Sequence, residues 1–141
     1  MTRGIRNHNP GNIDYNPANK WQGQLPMDKA IEPRFCRFVA PEYGIRALIK
    51  LLRTYHDKGC DTVSKMINRW APPHENATQN YVNGVASMLG VAPNDPVTPY
   101  DKETALKLAK AIIHHENGSQ PYDDAVFEKA YSLLWASDSL Y

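Results

Sequence analysis

From residue 41 onward apolar side chains recur at intervals of three and four, the period of helices with one buried face. In "PEYGIRALIKLLRTYHDKG" Ile45, Leu48, Ile49, Leu52 and Tyr55 share a face, while Arg46, Lys50, Arg53 and Asp57 lie on others. Pro41 suits the first turn of this helix and Gly59 its end. A second helix is predicted from a cap at Asp61 through Val63, Met66, Ile67 and Trp70, stopped by the prolines that follow Ala71. A third begins after Asn76, carries Tyr81, Val82, Val85 and Leu89, and ends at Gly90. Beyond the proline-studded "APNDPVTP" a fourth runs over 99–117, with Ala105, Leu108, Ala109, Ile112 and Ile113 in one stripe, and "DDAVFEKAYSLLWA" supplies a fifth.

The first forty residues follow another rule. "NHNPGNIDYNPANKWQGQ" is rich in turn-forming Asn, Pro and Gly, with short extended pieces around Ile13 to Tyr15 and Trp21 to Gln24. "RFCRF" alternates and reads as a short strand. The predicted architecture is α+β and predominantly α: one domain over 1–141, with a small β-lobe in 1–40 and about five helices in 41–141, a class in which a cleft forms between lobes.

Composition narrows the function. At 141 residues with a net charge of +1, the chain is long enough for a real core and has no basic field that would point to nucleic acid. The N-terminal "MTRGIRNHNPGNI" lacks an apolar signal segment, and no apolar run reaches membrane-spanning length. Synthesis in the cytoplasm without a signal peptide, and no membrane span, are the expectation. Cys36 and Cys60 lack metal-site spacing and read as reduced thiols, and the adjacent His114 and His115 cannot share a helix face as paired ligands. Neither a metal nor a cofactor is expected.

One acid stands out. Continuing the stripe of the fourth helix, the position after Ile112 and Ile113 is Glu116, at the last turn before Asn117 and Gly118. Carbonyls at a helix C-terminus carry about half a negative charge, so the dipole and burial together favour the protonated acid. That is what a general acid needs to give a proton to a glycosidic oxygen. The alternative is a glutamate that swings out into water. Glu42 lies in a first turn, where a carboxylate suits either a base or a simple cap. Glu75 precedes a candidate cap, Asn76, and either orients a sugar or water or charges the helix start. Asn7, Asn9 and Asn12 offer amides to sugar hydroxyls or else to their own turns. Tyr15 and Trp21 are candidate sugar platforms, whereas Trp70, on an apolar stripe, reads as core.

"AIIHHENG" resembles the catalytic helix of goose-type lysozymes and soluble lytic transglycosylases, an apolar helix ending in Glu-Ser-Gly or a close variant. "RGIRNHNPGNI", "PEYGIRAL" and "RWAPPHEN" resemble a set of phage and prophage proteins that open with this Asn-Pro-Gly-Asn-Ile signature, here with His8 in place of an Asn. "ENATQNYV" is similar to a Glu-Thr-x-x-Tyr-Val stretch late in lytic transglycosylases, with Glu75 and Tyr81 matching in type across a longer gap. The order of the pieces is reversed relative to that superfamily, and a circular permutation reconciles them. The resemblance implies a lysozyme-like fold and a peptidoglycan hydrolase, a muramidase or lytic transglycosylase that cleaves between N-acetylmuramic acid and N-acetylglucosamine. Glu116 would be its acid, Glu42 or Glu75 a second carboxylate, and Asn9, Asn12, Tyr15, Trp21, Tyr81 and Asn117 its contacts to sugar. Such a protein acts in the periplasm or cell wall, or as part of the virion. The other class it leaves open is a non-catalytic virion component, structural or wall-binding, whose partners are peptidoglycan or other virion proteins.

Overall fold

The computed structural model of the chain describes residues 1–71 and 75–135, without the side chains of 75 and 76. Within them the chain forms α1 (Arg3–Arg6), α2 (Pro41–Asp57), α3 (Val63–Trp70), α4 (Glu75–Leu89), α5 (Lys102–Asn117) and α6 (Asp124–Ser132), followed by a short 3-10 turn, Leu133–Trp135. Local chemistry sets the ends. Pro41 starts α2, and the side chains of Thr62, Asp101 and Asp123 accept from the backbone N–H of Lys65, Thr104 and Val126 to cap α3, α5 and α6. The cap of α3 is Thr62 where Asp61 was expected, because a shift of one residue turns the Asp61 side chain toward Lys65 at the surface. Gly118, at φ 75°, closes α5 in the left-handed conformation that glycine adopts without steric cost.

The buried positions repeat the apolar stripes. Ile45, Leu48, Ile49 and Leu52 of α2 meet Val63, Met66 and Ile67 of α3, Val82 and Val85 of α4, and Phe127 and Ala130 of α6 in one core. Helix α5 touches α1, α2, α4 and α6, and accordingly Ala111 is buried as well as Ala105, Leu108, Ala109, Ile112 and Ile113. Burying each such Leu or Ile is worth about 1.5–3 kcal/mol. Among the described residues no helix is long and apolar enough to cross a membrane.

The N-terminal forty residues depart from expectation. α1 was not foreseen, and no regular strand forms among the described residues: the segment is paired only at isolated bridges, Asp14 with Phe35 and Gln24 with Phe38. Side chains have taken the backbone groups that a sheet would pair. Asn9, fully buried, donates to the carbonyls of Ile13 and Cys36 at 3.0 and 2.9 Å and accepts from the Ile13 N–H at 3.0 Å. Glu32, also fully buried, accepts from Arg3 through both oxygens, from the Asn7 amide and from the backbone N–H groups of Arg34 and Phe35. The lobe seats on α2 through Gly44, where a Cβ would collide with the His8 carbonyl oxygen. It is bolted to α5 through Asn117, which accepts from the Thr2 hydroxyl at 2.6 Å and donates to the Pro10 carbonyl at 2.8 Å.

Candidate functional site

Those two attachments carry the lobe across the C-terminal end of α5. Asn12, in a left-handed turn at φ 52°, projects its amide onto the last turn of that helix and donates from Nδ2 to Oε1 of Glu116 at 2.9 Å. Glu116 is half-buried, with its carboxyl at the edge of a cleft of about 190 Å³ between lobe and helices. Behind it, Tyr81 of α4 is buried and stacked on His115, with ring centroids 3.6 Å apart. The Tyr81 hydroxyl is buried short of a well-formed hydrogen bond, yet it lies close enough to Glu116 to feel the carboxylate. Burial first, and then that charge, raise the Tyr81 pKa far above its ordinary value, so the phenol keeps its proton beside Glu116. Burial also lowers the pKa of His115, which favours the neutral ring in the stack.

The cleft holds residues that sequence reasoning passed over. Asp14, Arg34 and Phe35 line it beside Gly11, Asn12 and Glu116. Arg34 donates from Nε to Asp14 at 2.7 Å and lies over the Phe35 ring. Its pKa is raised chiefly by the hydrogen bond and charge of Asp14, and to a smaller extent by Glu116. Asp14 stands inside "NPGNIDYN", but nothing in its spacing separates it from an ordinary surface aspartate.

Trp70, read from its stripe as core, is only partly buried and lines the cleft, stacking edge-on with Tyr55 at 6.1 Å. It sits at the last position of α3, where the apolar face runs out of partners. Past Asn12, Asp14 and Trp70 the cleft continues into a second hollow of about 180 Å³ toward Asn16, Asn19 and Tyr55. Asn19 also borders a third, of about 270 Å³, where Tyr15 and Trp21 stand. The first two hollows share Asn12, Asp14 and Trp70 and form a groove, and the third borders it at Asn19.

The remaining candidates lie elsewhere. Asn9 and Asn117 spend their side-chain groups on the protein itself, holding the lobe's turns and its attachment to α5. Glu42 is in the first turn of α2 and is not among the residues that line the cleft; burial, and then the charge of Glu42, push the Tyr122 phenol up to about 12. Glu75 opens α4, and its side chain lies outside the described residues. Cys36 and Cys60 are free thiols, and burial pushes Cys36 up to about 11. No cluster of three or more metal-ligating side chains occurs among the described residues.

No protein-family model matches the chain. It is 39% identical over 132 residues to Protein P5 of Pseudoalteromonas phage PM2, an alignment that covers 92% of this chain and 79% of that protein.

Proposed function

This chain belongs to the family of that phage protein, and from that premise we propose that it is a phage- or prophage-encoded glycosidase of the bacterial cell wall, cleaving between N-acetylmuramic acid and N-acetylglucosamine. The observation that carries the reading is the Asn12 to Glu116 contact at 2.9 Å, which sets a half-buried acid at the edge of a groove. A carboxyl so placed has the position a glycosidase requires of its acid, fixed beside a sugar-sized space. Tyr55, Trp70, Tyr15 and Trp21 line the groove and the hollow that borders it, and aromatic rings are surfaces on which the C–H faces of sugars pack.

In this reading Glu116 protonates the leaving oxygen, and Asn12 fixes its geometry. The Asn12 amide engages Oε1, which leaves Oε2 as the oxygen to act on the substrate. The lysozyme-like fold belongs to the same proposal: an apolar helix ends in the acid, a polar lobe faces it, and the lobe precedes the helix in the chain, as a permuted relative would have it.

The test is the turbidity of purified peptidoglycan with wild type and Glu116→Gln. The substitution keeps size and hydrogen-bonding capacity but removes the proton donor, so lysis should fall at least about a hundredfold. The melting temperature should hold or rise slightly, because an acid at a helix C-terminus is disfavoured by some tenths of a kcal/mol to about one. Full lysis by Glu116→Gln would remove Glu116 from the role. Wild type without lysis would favour a virion component that binds the wall or assembles the particle.

A further inference from the structure

We infer that Asp14 is the second carboxylate of this reaction, the base that activates water, so that the cleavage is a hydrolysis and not an internal transglycosylation. The inference rests on the reading of Glu116 as the acid. Asp14 and Glu116 line one cleft together with Arg34, which is hydrogen-bonded to Asp14 and within the field of Glu116. Asp14 is also two residues from Asn12, whose amide touches Glu116. Chain geometry limits the Cα atoms of residues 12 and 14 to a separation of about 7 Å. Gly11 borders the same space and puts no side chain into it.

The Asp14 side chain is exposed, and Arg34 holds only its Oδ1; among the described residues Oδ2 has no protein partner. One oxygen is therefore anchored and the other is left for a water on a residue that lines the cleft. Glu42, the other described carboxylate considered for the role, is not part of this lining.

The chemistry balances with water as the only co-reactant. Glu116 gives its proton to the glycosidic oxygen as the bond from C1 to that oxygen breaks. A water oxygen bonds to C1 and passes one proton to Asp14. The products are a free hydroxyl on the departing sugar and a new reducing end, and solvent returns the proton from Asp14 to Glu116. Internal transglycosylation needs no second carboxylate: the hydroxyl on C6 of the muramyl ring attacks C1, and the product is lighter by one water and has no reducing end.

The experiment is mass analysis, with and without borohydride reduction, of the fragments released from purified peptidoglycan by wild type and Asp14→Asn. Wild type should release reducing fragments, and Asp14→Asn should slow their release at least about a hundredfold. Its near-ultraviolet circular dichroism should stay native, since an exposed ion pair adds little to stability. Anhydro fragments from wild type, or an undiminished rate in a natively folded Asp14→Asn, would overturn the role of Asp14 and leave Glu116 as the acid. Release of no fragments by wild type would overturn both.

Discussion

Glu32 is the residue on which the N-terminal lobe is organised. Arg3, two backbone N–H groups and the Asn7 amide converge on its buried carboxylate and hold it well below the usual carboxylate range, the hydrogen bond from Arg3 being the largest cause. A depressed folded pKa stabilises the protein at pH values above the unfolded value of about 4.3, and that stability is lost as pH falls below it toward the folded value. Melting temperature should therefore drop steeply below about pH 5 in wild type and less steeply in Glu32→Gln. At neutral pH that variant should cost about 2–3 kcal/mol, the lower side of a broken buried pair, because Arg3 is itself 45% exposed and keeps part of its hydration. Gly44 is the second such residue. Gly44→Ala would drive a Cβ onto the His8 carbonyl, forcing the lobe off α2 at a cost of about 3 kcal/mol and lowering thermal stability and lysis together. Neither role is legible in the sequence. Glu32 sits in an unpatterned stretch, and the glycine in "PEYGIRAL" looks like a helix defect until the chain that crosses it is known.

Among the elements, the helices were legible and the lobe was not. Helices α2 to α6 bury stripes spaced by three and four residues, and the core is the sum of those stripes, so periodicity in the sequence translated directly into contacts. The lobe is held by long-range amide and carboxylate hydrogen bonds, which leave no periodic trace, and "RFCRF" accordingly supplies only two bridge residues, Phe35 and Phe38. Alternation still decided which side chains turn inward, since Cys36 and Phe38 are buried on either side of a half-exposed Arg37. The candidate site shows the same division. The position of Glu116 at the end of a helical stripe could be read from periodicity, whereas the placement of Asp14 and Arg34 beside it in the cleft depends on how the lobe folds over α5. The joint between lobe and α5 offers its own test. Asn117→Ala removes the acceptor for Thr2 and the donor to Pro10 and should cost about 1–3 kcal/mol. Amide hydrogen exchange should quicken at Asn12, Ile13 and Cys36 more than in the middle of α5.

For the whole molecule, the groove is a seam between two kinds of structure, a helical core that is stable through apolar burial and a polar lobe that depends on its attachments. The contact that completes the seam joins positions 104 residues apart, Asn12 and Glu116. A ribosome delivers Asn12 early and Glu116 late, so the lobe can seat on α2 but waits through the synthesis of three more helices for its attachment to α5. Closing a loop of that length costs only about 0.6 kcal/mol for each doubling of its span, but the contact cannot form before α5 has left the exit tunnel. The nascent chain thus carries Asn12 and Glu116 as separate pieces until α5 is made, and the edge of the cleft at which they meet is assembled late in synthesis.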